Sequence, residues 1–210
     1  MKMVMLGPPG AGKGTQAEIL AKKFGVPAIS TGYMLRDAVS KKTPAGLKAK
    51  EYMDAGGLVP DEITLKIFLA RVTQDDCKNG YILDGIPRNL AQAEELDRQG
   101  VEIDTVLSIE ISDDEIESRL SGRRSCSGCS AMYHTQWNPS KQEEICDVCA
   151  STLHIRTDDE PQTIRNRLAV YHQETAPLKE YYKVRGKLVT VENINGVSET
   201  TEAIFKALGI

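Results

Sequence analysis

Residues 1–25 read MKMVMLGPPGAGKGTQAEILAKKFG, and the fold class turns on how that stretch divides. Met3, Val4, Met5 and Leu6 make a short apolar run that stops at Gly7, the pattern of a buried strand. Ala17, Leu20, Ala21 and Phe24 recur at i, i+3, i+4 and i+7, which predicts a helix ended by Gly25. Between them Gly7-Pro8-Pro9-Gly10-Ala11-Gly12-Lys13 fits the pattern G-x4-G-K. In a strand–loop–helix setting such glycines let backbone N–H groups turn onto phosphate oxygens, and the helix N-terminus favours the anion. Gly10, Ala11, Gly12, Lys13, Gly14 and Thr15 are therefore candidate nucleotide contacts, with Lys13 reaching the β- and γ-phosphates. Gly14 occupies the place where the general pattern has Ser or Thr, so Thr15, one residue later, is the candidate for a Mg2+ or phosphate contact. The alternative is an ordinary glycine-rich turn.

The alternation continues along the chain. Residues 27–30, 81–84, 105–111 and 187–193 are further strand candidates. Residues 31–55 read as two helices broken near Thr43-Pro44 and ended by Gly56-Gly57. Asp61 is the expected cap of a helix whose Leu65, Phe68, Leu69 and Val72 share one face, and Asp113 the expected cap of a helix running to Leu120. Another helix follows residue 84 and ends near Gln99. A helix restarts at Pro161 and runs towards Tyr182 with a kink at Pro177. Ala203, Ile204, Ala207 and Leu208 face a closing helix. Five strands alternating with helices predict an α/β, P-loop NTPase-like fold: a five-stranded parallel sheet flanked by helices. Ligands of such sheets sit at the carboxyl ends of the strands, so the loops after Leu6, Ser30 and Asp84 are expected to converge.

The rhythm breaks at Ser121. Residues 122–155 have no helical period and are rich in Cys, Ser, Gly and Asn-Pro, as expected of a small inserted module. Cys126, Cys129, Cys146 and Cys149 form C-x2-C-x16-C-x2-C, a zinc spacing. Four thiolates close a tetrahedral shell and leave no position for substrate water, so the expected zinc is structural. Reduced free thiols are the alternative. His134 is a surplus ligand candidate, better read as a residue of the module near the nucleotide or simply exposed. Cys77, His154 and His172 lie outside any ligand pattern and read as structural or incidental.

The bulk numbers narrow the class. The chain has 210 residues, 40% apolar and 27% charged, with a formal net charge of −4. That suits a soluble globular protein and argues against a wholesale nucleic-acid coat. No stretch approaches the roughly 20 apolar residues of a membrane span. The opening residues lack the apolar length of a signal peptide, so a cytoplasmic location is expected.

Several further motifs stand in order: STGYMLR (30–36), GGLVPDE (56–62), DGIPRNLAQA (84–93), RLSGRRSC (119–126), RTDD (156–159) and NRLAVY (166–171). With GPPGAGKGT, they make the chain resemble the adenylate kinases, a nucleoside monophosphate kinase family, in the long-lid type that carries a zinc site. The likeness spans nearly the whole chain. It implies a core of residues 1–29, 60–121 and 160–210, a helical AMP-binding insertion at 30–59, and a small zinc-containing lid at 122–159. It further implies that Thr31 and Arg36 hold AMP, that Gly57, Leu58 and Val59 line its adenine, that Gln92 reads the adenine edge, and that Gly85, Ile86, Pro87 and Arg88 pass close to its phosphate. Asp84 would hold Mg2+ through water. Arg119 and Arg123 would grip ATP from the lid, with Met132 and Tyr133 beside its base and the loop near Ser198 completing the pocket. Arg156 and Arg167 would clamp the phosphates between the two nucleotides. Lys13, Arg88, Arg123, Arg156 and Arg167 make up the implied catalytic set. The expected partners are ATP, AMP and ADP, with no nucleic acid or membrane, and the resemblance implies a monomer. Three positions depart from the family pattern: Tyr33 for the usual Asp, Ile86 for Phe, and Ala91 for Pro.

Transfer between two phosphates needs no strong base, because the acceptor is already nucleophilic; positioning and charge neutralisation do the work. Arginine suits that task, since its planar fork bonds two phosphate oxygens and keeps its charge. Each arginine alone could be solvated surface charge, and Asp158 and Asp159 could either orient the lid arginines or cap the helix beginning at Pro161. Two rival functions remain: a kinase for UMP, CMP or another monophosphate, and a zinc-ribbon nucleic-acid-binding NTPase.

Overall fold

A computed structural model describes residues 1–129, 131–193 and 196–210. The apolar run that opens the chain is the central strand β1 (Lys2–Leu6). It pairs in parallel with β3 (Tyr81–Asp84) on one side and β4 (Thr105–Glu110) on the other. Strands β2 (Ala28–Ser30) and β8 (Leu188–Glu192) complete a five-stranded parallel sheet in the order β2-β3-β1-β4-β8. Side chains of β1 alternate between two cores, as a two-residue period requires. Val4 and Leu6 pack with Phe68, Leu83, Ile86, Leu96, Leu178 and Tyr182. Met3 and Met5 pack on the other face with Leu20, Ile82, Leu107, Ile109 and Ile204. Both faces are covered, which is why the strands read as continuous apolar runs.

The helices are α1 (Lys13–Phe24), α2 (Thr31–Ser40), α3 (Pro44–Asp54), α4 (Asp61–Val72), α5 (Leu90–Arg98), α6 (Asp113–Ser121), α7 (Pro161–Val170), α8 (Leu178–Lys183) and α9 (Val197–Leu208). Thr43 caps α3 by accepting the Gly46 N–H, and Pro44 takes the first helical position where its missing N–H costs nothing. Two expected caps are corrected. Asp61 lies inside the first turn of α4, Pro60 occupies its cap position, and the Asp61 carboxylate bonds across to Asn89 and Gln92. At α6 the cap is Ser112, whose hydroxyl accepts the Glu115 N–H; the three acids Asp113, Asp114 and Glu115 follow in the first turn, where the helix dipole favours them. The helix expected to run from Pro161 with a kink at Pro177 is instead two helices, with a π turn at Tyr171–Thr175 between them. Pro177 offers no N–H to the preceding turn, and the chain widens ahead of it so that the Ala176 N–H reaches the Tyr171 carbonyl at 2.8 Å.

Residues 122–155 are not wholly irregular. They hold a small antiparallel sheet of β5 (Arg123–Cys126), β6 (Met132–His134) and β7 (Leu153–His154), in the order β6-β5-β7. Among the described residues its buried apolar set is Cys126, Tyr133, Cys146 and Leu153, with Ala131 packed against them. A further small cluster, Leu35, Ala49 and Val59, joins α2, α3 and the approach to α4. No helix among the described residues is long and apolar enough to cross a membrane.

Candidate functional site

Register brings the predicted loops together. Met5 and Ser30 both stand opposite Asp84, so β1, β2 and β3 end on one rim of the sheet. Gly7 leaves β1 with φ 132°, and a Cβ there would lie 2.4 Å from the Ile109 carbonyl oxygen, so only glycine lets the loop pass so close to β4. Lys13 begins α1, and its Nζ donates to the carbonyls of Gly7 at 2.8 Å and Pro8 at 2.7 Å. Desolvation, helped by Arg88, Arg167 and Arg123, pulls the Lys13 ammonium down to about 8 against the opposing attraction of Asp84. A Cβ on Gly14 would lie 3.5 Å from Asp84 Oδ2; the strand-end carboxylate thus reaches the first turn of α1. From the far edge of the sheet Asn193 Nδ2 donates to the Ala11 carbonyl at 2.8 Å and pins the loop. The strand-end position of Asn193 was the one sequence signal for this contact.

A second set of groups faces the loop. One pocket is lined by Thr31, Gly32, Leu35, Arg36, Met53, Gly56, Gly57, Leu58, Val59, Thr64, Arg88, Gln92, Asp158 and Arg167. It brings together Thr31, Arg36, the 57–59 segment, Arg88, Gln92 and Arg167 from the sequence set. Gly85, Ile86 and Pro87, expected beside the same phosphate, are not among its lining residues. Thr31 Oγ1 donates to the Gly85 carbonyl at 2.8 Å, and Arg88 Nε donates to the same oxygen at 2.9 Å. Ile86 itself is fully buried in the core, before a cis bond to Pro87. The Arg88 peptide is held at both ends: its N–H donates to Gln92 Oε1 at 2.7 Å, and its carbonyl accepts from Thr175 Oγ1 at 2.6 Å. Thr175, in the π turn, carried no sequence signal.

The inserted module closes the other side. Arg123 places Nε and Nη2 on the Asp159 carboxylate, a two-pronged ion pair. Asp159 has a fully buried side chain and also accepts from Arg167 Nη1 at 3.1 Å; Arg167 bonds Asp158 at 3.0 Å as well. The two aspartates therefore orient arginines, and neither caps α7, whose cap residue is Glu160. Burial works against the Asp158 charge, yet Arg167, Arg123, Arg156 and Arg36 together hold its carboxyl below the usual range. Desolvation is the main cause drawing Arg36, Arg88, Arg156 and Arg167 downward, and neighbouring guanidiniums add to it at Arg36, Arg156 and Arg167. Arginine does not give up its proton, so this crowding of positive charge is a standing attraction for polyanions.

Other predicted lid contacts are placed differently from one another. Arg156 donates to Ser125 Oγ at 2.6 Å and to Met132 Sδ at 2.7 Å. Tyr133 turns inward: its hydroxyl lies 3.4 Å from Cys146 Sγ and accepts the Asp147 N–H at 2.8 Å. Arg119 sits 5.0 Å from the Trp137 ring centre, and Trp137 stacks on His134 at 4.1 Å. His134 Nδ1 accepts the N–H groups of Gln136 and Trp137, which leaves Nε2 to donate to the Arg119 carbonyl at 3.1 Å. His134 is thus a turn-former and no metal ligand. Ser198 is exposed in the first turn of α9, and residues 194 and 195 of the loop before it lie outside the described residues.

The four cysteines cluster, with all sulfurs within 4.8 Å of one another. Cys126 and Cys149 lie 3.4 Å apart and Cys129 and Cys146 3.6 Å, close to the edge of a tetrahedron with metal–sulfur bonds of about 2.3 Å. Cys126 Sγ accepts from the N–H groups of Gly128 and Cys129, and Cys146 Sγ from that of Val148. Such donors favour thiolate: the Tyr133 hydroxyl is the main cause drawing Cys146 downward, while Cys129, which shares hydrogen bonds with the other sulfurs, is pushed up. The donor set fits zinc.

The family model described as adenylate kinase matches residues 5–187. A curated adenylate kinase of Caldicellulosiruptor saccharolyticus is 52% identical over 214 residues, covering 100% of each chain. The adenylate kinase of Acetivibrio thermocellus is 50% identical over 212 residues, covering 99% of this chain and 98% of that protein. That of Lachnospira eligens is 48% identical over 213 residues and 100% of each chain.

Proposed function

The chain belongs to the adenylate kinase family and is an ATP:AMP phosphotransferase, and we propose that its cationic cleft carries out the transfer with the residues named here. The supporting observation is the convergence of Lys13, Arg36, Arg88, Arg123, Arg156 and Arg167, each within electrostatic reach of others, between the glycine loop and the pocket at Gln92. ATP lies with its β- and γ-phosphates on the N–H groups of Gly10, Ala11, Gly12, Gly14 and Thr15 and on Lys13. AMP lies in the pocket, its base against Gly57, Leu58, Val59 and Gln92 and its phosphate towards Arg36 and Arg88. An oxygen of the AMP phosphate forms the new bond to the γ-phosphorus as the bond to the β-phosphate oxygen breaks, leaving two ADP. Arg123 and Arg167, aligned by Asp159, and Arg156 from the same closure, lie where charge spreads over the transferred group. Magnesium, which adenylate kinases use with ATP, would be held by Asp84 through water, with Thr15 as a Mg2+ or phosphate contact, and would neutralise phosphate charge.

The working parts follow the insertions: residues 30–59 bind AMP, residues 122–159 form the lid, and residues 1–29, 60–121 and 160–210 are the core. Zinc on Cys126, Cys129, Cys146 and Cys149 is structural, because the lid has few apolar side chains of its own to bury. Arg119, Met132 and the segment at Ser198 border the ATP base. Tyr133 supports the lid from inside, through Cys146. The enzyme acts as a monomer in the cytoplasm, a setting that keeps thiols reduced.

Incubation of purified protein with magnesium, ATP and AMP is expected to yield two ADP per AMP consumed, with GMP, UMP and CMP much poorer acceptors. Comparable kcat/KM for any of those three would displace AMP from the pocket.

A pH dependence follows from Lys13. Its ammonium form binds phosphate, and in the free enzyme it titrates at about 8. The value of kcat/KM for ATP, which reports free-enzyme groups, is expected to fall as pH rises through about 8. Bound phosphates raise the lysine's pKa, so the alkaline limb of kcat should lie at higher pH. Coincident limbs in the two profiles would contradict the assignment.

A further inference from the structure

Asp61 stands behind the base pocket and does not line it. Its Oδ1 accepts from Gln92 Nε2 at 2.6 Å, and both its oxygens accept from Asn89 Nδ2 at 3.2 Å. On the other side of the same amide, Gln92 Oε1 accepts the Arg88 N–H at 2.7 Å. Gln92 is 1% exposed. A carboxylate only accepts and a backbone N–H only donates, so these two neighbours admit one of the two orientations of the Gln92 amide. Turning it over would set Nε2 against the N–H and Oε1 against the carboxylate, with buried groups left unpaired on both sides.

Each amide atom keeps one further bonding direction: a hydrogen on Nε2 and a lone pair on Oε1. A base edge with an acceptor beside a donor fits that pair. Adenine has it, in N1 and the 6-amino group. Hypoxanthine and guanine present the reverse, N1–H beside O6, and need the amide turned over. We propose that Asp61 is a specificity-determining positioning residue: by fixing the Gln92 amide it makes the acceptor pocket select 6-amino over 6-oxo purine nucleotides. The inference rests on the reading that Gln92 faces the acceptor base.

The test compares AMP with IMP, which differ at the base edge alone. Asp61→Asn keeps the shape and loses the obligatory acceptor. It is expected to raise the ratio of kcat/KM for IMP over AMP about tenfold, the scale of one charge-assisted hydrogen bond, with KM for ATP unchanged. In a Gln92→Ala background the same change should leave the ratio where it was, since the two residues act as one unit. Should the Asn variant fold poorly by thermal melt, Asp61→Ala gives the same reading. An equal fall on both substrates, at constant ratio, would reduce Asp61 to a scaffold residue and overturn the inference. Gln92→Ala alone tests the underlying reading: an unchanged KM for AMP would remove Gln92 from the acceptor site altogether.

Discussion

Arg123→Ala is expected to lower kcat by about 10³-fold, the scale on which a single transition-state arginine acts. The reasoning starts from Asp159. Its side chain is fully buried, yet it holds two cations, Arg123 by a two-pronged contact and Arg167 at 3.1 Å. A buried carboxylate between two guanidiniums fixes both planes before substrate arrives, so little rearrangement is needed as charge spreads over the transferred group. Both arginines also act on Lys13, which places them at the phosphate end of the cleft. Loss of Arg123 leaves Asp159 with Arg167 and costs about 1–3 kcal/mol of stability, a few degrees in Tm. The kinetic loss corresponds to about 4 kcal/mol and should appear in kcat more than in KM for AMP. Arg123→Lys keeps the charge but not the fork, and should fall between the two. Steady-state kinetics beside thermal melts check this; a kcat within tenfold of the parent enzyme would take Arg123 out of the reacting cluster.

The second large effect is on stability. Cys126→Ala, or removal of metal by a chelator, is expected to lower Tm by on the order of 10 °C, while kcat at low temperature stays within a few-fold. Cys126 is 2% exposed, and its sulfur gathers two backbone N–H groups and the Cys149 thiol. Among the described residues, the lid's buried apolar side chains are Cys126, Cys146, Tyr133 and Leu153. Metal–thiolate bonds would then hold what hydrophobic burial does not, turning binding energy into folding energy. Metal analysis should find one zinc per chain in the parent protein and a substoichiometric amount in the variant. Lost activity at unchanged Tm would instead assign the ion to the reaction.

Much of the sheet was legible from residues 1–25 outward, because strand and helix periods are short-range and repeat along the chain. The cysteine spacing was legible for a related reason: a CxxC turn brings two sulfurs together whatever surrounds it. Errors fell where two local signals competed. Asp61 and Asp113 both looked like caps, but a carboxylate in a first turn is favoured by the helix dipole without capping anything. Pro177 marked a disturbance without giving its form, since a widened turn and a simple kink relieve the same missing N–H.

By itself, then, the amino-acid order determined the parallel sheet, the glycine loop with its lysine, the interrupting module and its four sulfurs, all of which follow from neighbours a few residues apart. Only the tertiary structure decided which like-charged side chains meet and what holds them. Arg123 and Asp159 are 36 residues apart, Gln92 and Asp61 31, Thr175 and Arg88 87. An ion pair or hydrogen bond gains its strength from burial and orientation, and neither quantity exists until distant segments pack against each other.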